Sequence, residues 1–254
     1  MNKPIAFLFL ALALLSCGKR REPVTLTLVT YNVGVFSKYV DNSIPDVAGV
    51  IRESGAAYVA LNELDSCNRR HANYQLQDLA EALDGWSYQF ASAFPFAGGA
   101  YGNGVISRDM PTACYKVHLP KSDGFEPRSV AVLETDLCVF AAVHLDYAGE
   151  KSRIQQVEAL NDWFKACYAG VRKPVFLCGD FNAGPDEVIR LMGDNWTLLS
   201  GTDFTFSTTN PRACIDFVFA YKDAAPVEVV SSEVLTEGTA GLSDHFPVKV
   251  VVKF

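Results

Sequence analysis

Between positions 174 and 182 the chain reads PVFLCGDFN. Val175, Phe176, Leu177 and Cys178 are apolar without alternation, which predicts a strand covered on both faces. At Gly179 the run breaks into Asp180 and Asn182, two polar residues where a buried strand ends. The same layout recurs along the chain. VTLTLVTYN closes on Asn32, AYVALNEL carries Glu63 near its end, and LCVFAAVHLD closes on His144 and Asp146. Asp216 lies inside ACIDFVFAY, and Asp244 and His245 directly precede FPVKVVVKF. Functional side chains are commonly held this way, on loops and strand ends of a rigid sheet.

Outward from these runs, GWSYQFA, GNGVISR, ACYKVHL, RSVAVLET and VEVVSSEV also read as strands. Helical spacing appears in IPDVAGVIRESG, NYQLQDLAEALDG, EKSRIQQVEALNDWFKACY and GPDEVIRLMG. The helices are dispersed among more numerous strands. Runs such as CVFAAV and PVFLC must be covered on both sides, and two packed sheets with helices outside would do so. There is no internal repeat and no low-complexity segment.

The N-terminus reads differently. Lys3 precedes an apolar run from Ile5 to Leu15, too short for a stop-transfer span and of signal-peptide form. It closes on LLSCG, with Leu14 three residues before Cys17 and Gly18 just after it, which resembles a bacterial lipobox. The expected organisation is a lipoprotein signal peptide over 1–16, a lipidated Cys17 with a polar tether over 17–23, and one domain over 24–254. Acyl chains on Cys17 would anchor the protein to a membrane. The expected location is the bacterial cell envelope, lipid-anchored and exported. Removing residues 1–16 takes one lysine from 22 Lys+Arg, leaving 21 against 29 acidic residues and a net charge of −8. Such a balance argues mildly against gripping long nucleic acid by counterion release. Besides Cys17 there are six cysteines, none in a C-x-x-C pair, so a zinc site is not indicated. Export permits disulfides, but Cys138 and Cys178 lie in apolar runs where thiols serve as small core residues.

The strand-end residues form an oxygen-rich set of Glu, Asp and Asn. That composition suits a hard cation such as Mg²⁺, Mn²⁺ or Ca²⁺. In order, TYN (30–32), LNE (61–63), GNGVISR (102–108), HLD (144–146), GDFN (179–182), IDFVF (215–219) and SDHFPV (243–248) resemble the endonuclease/exonuclease/phosphatase superfamily, the DNase I-like Mg²⁺-dependent phosphoester hydrolases. The similarity extends from Val24 to the C-terminus. It implies an α/β fold, a four-layer α/β/β/α sandwich of two packed mixed sheets flanked by helices, with the site at one edge of the sheets.

The resemblance also implies roles. Glu63 matches a principal metal-ligating glutamate, with Asn32 and Asp244 beside it at the metal. Asp180 matches the residue that orients or deprotonates the attacking water, and Asn182 its partner. His245 with Asp216 matches a His–Asp pair at the phosphate, and His144 a histidine that contacts it. Which of Asp180 and His245 takes the proton stays open. Arg128 and, less directly, Asn103 are expected to touch substrate, while Arg153 and Gln156 hold the shape of the site. Read alone, Asn32 before Gly34 is equally a turn former, and Asn182 an Asx-type turn. His71 and His118 match no role. Asn62 stands where relatives more often carry a glutamine supporting the metal shell. Gly34 stands where some nucleases carry an acid, which favours one metal ion, Mg²⁺ with Mn²⁺ able to replace it.

The implied activity is hydrolysis of a phosphoester in nucleic acid, a phospholipid headgroup, an inositol phosphate or a nucleotide, by a monomer. The competing reading is a non-catalytic envelope binding protein on the same scaffold.

Overall fold

The computed structural model describes residues 22–121 and 126–254. The expected signal peptide and Cys17 therefore lie outside the described residues. In the described part, two six-stranded sheets pack face to face. The first contains β1 (Thr25–Asn32), β2 (Tyr58–Ser66), β3 (Ser87–Phe96), β4 (Gly99–Ser107), β11 (Glu228–Val234) and β12 (Val248–Lys253), in the order β11-β12-β1-β2-β4-β3. The second contains β5 (Ala113–Leu119), β6 (Arg128–Glu134), β7 (Val139–His144), β8 (Val175–Asp180), β9 (Trp196–Leu198) and β10 (Asp216–Tyr221), in the order β5-β6-β7-β8-β10-β9. Each sheet is mixed: β1 runs parallel to β2, and β7 to β8, amid antiparallel neighbours.

Helices α1 (Ile44–Ser54) and α2 (Gln75–Ala82) cover the outer face of the first sheet, where Val47, Ile51, Leu76 and Leu79 meet Val29, Tyr31, Val59 and Leu61. Gly55 ends α1 in the left-handed conformation, at φ 72°. Helices α3 (Glu150–Tyr168) and α4 (Pro185–Met192) cover the second sheet through Leu160, Phe164, Val188 and Met192. The layers are thus α/β/β/α, as the sequence led us to expect. The three-residue β9 had no legible sequence signal.

The central layer between the sheets explains the position of the site. Side chains alternate across a strand, so every second residue of one strand enters this layer. Leu26, Leu28, Tyr58, Ala60, Phe140, Ala142, Phe176, Cys178, Val218 and Ala220 form its apolar body. Continuing each strand with the same parity leads to Asn32, Asn62, His144, Asp180 and Asp216. All five are at least 96% buried. One end of a hydrophobic layer is therefore polar, with no change in strand geometry. The approach is close: Gly179 has φ +149°, and a Cβ there would stand 1.8 Å from the carbonyl of Val143. The cysteines of the described residues are free thiols, with Cys138, Cys178 and Cys214 buried.

Asn62 joins the two sheets at this polar end. Its Nδ2 donates to the Val143 carbonyl of β7 at 2.8 Å and to Asn103 Oδ1 at 3.1 Å, and its Oδ1 accepts the Asp180 amide of β8 at 3.0 Å. The sequence suggested support of a metal shell; the structure makes Asn62 a cross-sheet clamp. Replacing it leaves buried donors and acceptors without partners. Asn62→Leu should destabilise the fold by about 3 kcal/mol, read from the urea unfolding midpoint. An unchanged midpoint would show that the clamp carries no weight.

Candidate active site

The polar end of the central layer opens into a cleft of about 330 Å³. Glu63, Arg128, His144, Asp180, Asn182, Asp244 and His245 line it, so residues spread over nearly the whole sequence meet there. Glu63 reaches the wall through a bulge. The β2–β4 register breaks between Leu61 and Leu64, and Glu63 itself has φ 58°. A bulge re-aims a side chain, and a bulky residue held at positive φ marks a backbone constrained by function.

Asp180 is the hub. It is 2% exposed, and its Oδ2 accepts Asn32 Nδ2 at 3.1 Å. The same oxygen lies 3.4 Å from His144 Nε2 and 3.7 Å from His245 Nε2. Its Oδ1 accepts the Asn182 amide at 2.8 Å, which holds Asn182 in a tight turn at φ 51°. The Asn182 Nδ2 donates to the Leu145 carbonyl at 3.0 Å. Burial, with the nearby charge of Asp216, raises the Asp180 carboxyl to about 7.

His245 Nδ1 lies 2.8 Å from Asp216 Oδ2. Burial works against its charge, but Asp216, Asp180 and Asp244 outweigh it and raise the imidazole to about 10. The ring of Phe206 packs against it, 4.9 Å between centroids. His144 has the opposite character. Burial, together with Arg128 and His245, holds it well below the ordinary histidine range, so it is neutral. The site thus presents a charged imidazole and a neutral one on two sides of a single carboxylate.

The expected metal ligands separate into two groups. Glu63 and Asp244 bring carboxylates to the cleft wall. Asn32 instead turns its oxygen to the Gly34 amide at 3.1 Å and its NH₂ to Glu63 Oε1 at 3.1 Å and to Asp180. In this arrangement it orients two carboxylates rather than offering an oxygen to an ion. Asp180, Asp216 and His245 also bring ligand-type atoms within 4.8 Å of one another. There His245 Nδ1 and Asp216 Oδ2 already meet each other at 2.8 Å. Glu63 and Asp244 have the chemistry of ligands for a hard cation, which typically takes one or two carboxylates and keeps water and phosphate oxygens, and Asp244 also meets the Lys38 ammonium.

Asn103 does not reach the cleft. It is 2% exposed, accepts from Asn62 and donates to the Ser129 carbonyl at 2.9 Å, so its amide braces the clamp instead of touching phosphate. Arg128 does line the cleft and pairs with Glu126 at 3.3 Å. Arg153 binds Glu187 at 2.7 Å and the Asp146 carbonyl at 2.9 Å, while Gln156 accepts the Asp146 amide at 2.9 Å. These fix the loop after His144. Tyr101, Glu126, Tyr147 and Phe206 line the cleft without having been singled out in the sequence. Lys38, which pairs with Asp244 at 2.7 Å, had no sequence signal either.

Buried acids and two histidines of different charge thus meet at the ends of two packed sheets. The profile of the Endonuclease/Exonuclease/phosphatase family matches residues 29–245, and the chain belongs to that family of phosphoester hydrolases. Solved structures share the fold. A family protein from Bacteroides thetaiotaomicron matches 92% of this chain and 99% of its own at 21% identity and a TM-score of 0.72. The mannosyl-6-phosphatase Bt3783 of the same organism matches 90% and 100% at 21% identity and 0.72. A family protein from Leptotrichia buccalis matches 90% and 100% at 16% identity and 0.73.

The Asp216–His245 pair makes a signed prediction. The folded pKa of His245 is raised, so its contribution to stability is complete below its unfolded value of about 6.5. That contribution is lost as pH rises through about 10. By NMR the His245 imidazole should remain charged at pH 8 and become neutral there in Asp216→Asn. The variant should also lose less stability than the parent between these pH values. A neutral parent imidazole at pH 8 would contradict the assignment.

Proposed function

We propose that the chain is a metal-dependent hydrolase of phosphoester bonds, acting by attack of water on phosphorus. The observation that carries this reading is the placement of Asp180 Oδ2 in one cleft, 3.4 Å from His144 Nε2 and 3.7 Å from His245 Nε2. A base must be poised near neutrality and an electrostatic stabiliser must stay charged. Asp180, raised to about 7, is ionised at mildly alkaline pH and can accept the proton of a water held in the cleft. His245, already protonated, cannot take that proton. It instead places positive charge where the phosphoryl oxygens gain negative charge. Neutral His144 presents its Nε2 side to the same space, and Arg128 adds a guanidinium on the wall. Asn182, fixed by Asp180 and Leu145, positions water or a phosphoryl oxygen at the cleft floor.

Glu63 and Asp244 would hold a Mg²⁺ or Mn²⁺ ion, with Asn32 keeping Glu63 in place. When bound, such an ion supplies Lewis-acid polarisation of the phosphoryl group and stabilises the leaving oxygen. An intact set of acids and histidines in one cleft weighs against a binding-only protein, which has no need of it.

The cellular context belongs to the same proposal. The lipobox-like LLSCG points to anchoring through Cys17 at the bacterial envelope, with the catalytic domain acting there as a monomer. No helix among the described residues is long and apolar enough to cross a membrane. The fold's net negative charge favours small or lipid-linked esters over long nucleic acid.

Protein lacking residues 1–17 should hydrolyse bis-p-nitrophenyl phosphate with added Mg²⁺ or Mn²⁺. EDTA should abolish the activity, and Asp180→Ala or His245→Ala should each lower kcat by roughly 100-fold or more. Hydrolysis indifferent to both chelation and substitution would sink the proposal.

A further inference from the structure

Beside the cleft lies a second recess, of about 140 Å³, that shares Glu63, Tyr101 and Glu126 with it. Its remaining walls are Arg70, Phe94 and Phe96. None of the catalytic groups above explains these three.

The recess is a built feature. The β3–β4 hairpin bends at a register break between Ser92 and Phe94, opposite the β2 bulge that carries Glu63. The bend packs Phe94 against Tyr101, 5.3 Å between centroids and tilted by 41°. Phe96 stands at 6.3 Å and 87° to Phe94. Arg70 caps the group, with its guanidinium carbon 4.7 Å above the Phe96 ring. A fully buried carboxylate fixes that guanidinium: Asp65 accepts Arg70 Nε at 2.7 Å and Nη2 at 2.8 Å, and its Oδ2 also meets His71 Nδ1 at 2.6 Å. His71, which matched no role in the sequence, helps to hold this anchor.

We propose that the recess receives the alcohol side of the ester and takes a neutral, polyhydroxylated ring, that is, a single sugar. This rests on the phosphoester-hydrolase reading of the adjoining cleft. Three alternatives fit less well. A quaternary ammonium group seeks open aromatic faces, but here a guanidinium already covers Phe96 and would repel it. A second phosphate, as in a nucleic acid or a polyphosphorylated cyclitol, would meet the carboxylates of Glu63 and Glu126. A nucleobase needs an open aromatic face wide enough to stack on, and here Arg70 lies over Phe96 while Phe94 packs at a tilt against Tyr101. A sugar matches what remains. Its polarised C–H face lies against the negative face of an aromatic ring. Its hydroxyls can donate to the Glu126 carboxylate and accept from the Arg70 guanidinium. The volume suits one ring, so the substrate class is a sugar phosphomonoester.

The test is a comparison of kcat/KM for a hexose 6-phosphate, glycerol 3-phosphate and a nucleoside 5′-monophosphate, with Mg²⁺ or Mn²⁺ present. The hexose ester should be preferred over both others by roughly tenfold or more, the scale of one well-packed pocket contact. Phe96→Ala should lower the ratio of hexose to glycerol ester by about tenfold. Glu126→Gln, which keeps the shape of the wall, should lower it as well. Free hexose should inhibit the parent competitively, and the Phe96→Ala protein less. Hydrolysis of glycerol 3-phosphate without preference for the hexose ester would overturn the subsite while leaving the catalytic reading intact. So would a preference for the nucleotide, or variants that slow both esters in parallel. No hydrolysis of any phosphoester would overturn the catalytic reading itself.

Discussion

The side chain of Asn62 is the contact on which the rest depends. It sits in the layer between two sheets, where an unpaired polar group is costly, and it is satisfied by backbone groups of the opposite sheet. One of those groups is the amide of Asp180, so the clamp that closes the sandwich also fixes its central carboxylate. Asn103, from β4, braces the same amide. Packing and catalysis are coupled here through a single hydrogen-bonded group. The apolar body of the layer, centred on Phe140, Phe176 and Tyr58, holds the sheets at the separation that lets Asn62 span them.

Electrostatics then divides the labour. Two buried carboxylates, Asp180 and Asp216, lie in one region, and the charge of Asp216 adds to the cost of ionising Asp180. The charged His245 between them relieves part of that cost, which is why its proton is held so tightly. His144 also meets Asp180, but no carboxylate faces its Nδ1 as Asp216 faces that of His245. With Arg128 close by, it stays neutral. The difference between the two histidines does not come from residue type. It comes from which strand end each one occupies and which charges face it.

Much of this was legible in the sequence, for identifiable reasons. Runs such as CVFAAV and PVFLC, apolar on both faces, suggested two packed sheets with helices outside. The resemblance carried by GDFN, IDFVF and SDHFPV implied the sandwich and one site for Glu63, His144, Asp180, Asn182, Asp216, Asp244 and His245. It did not give what depends on side-chain direction or on irregular backbone. Asn32 was expected to face a metal and instead turns its NH₂ to two carboxylates. Asn103 was expected at the substrate and instead faces inward. The bulges at Glu63 and Phe94 leave no mark in hydrophobic periodicity, so the aromatic recess beside the cleft was invisible until the hairpin was folded.

The central claim is that the Asp180 cleft directs water onto phosphorus. It is tested most directly by turning over a sugar phosphate in H₂¹⁸O and locating the label by mass spectrometry. The account predicts one ¹⁸O atom in the released phosphate and none in the alcohol. Label in the alcohol, which would mean cleavage of the carbon–oxygen bond, would contradict it.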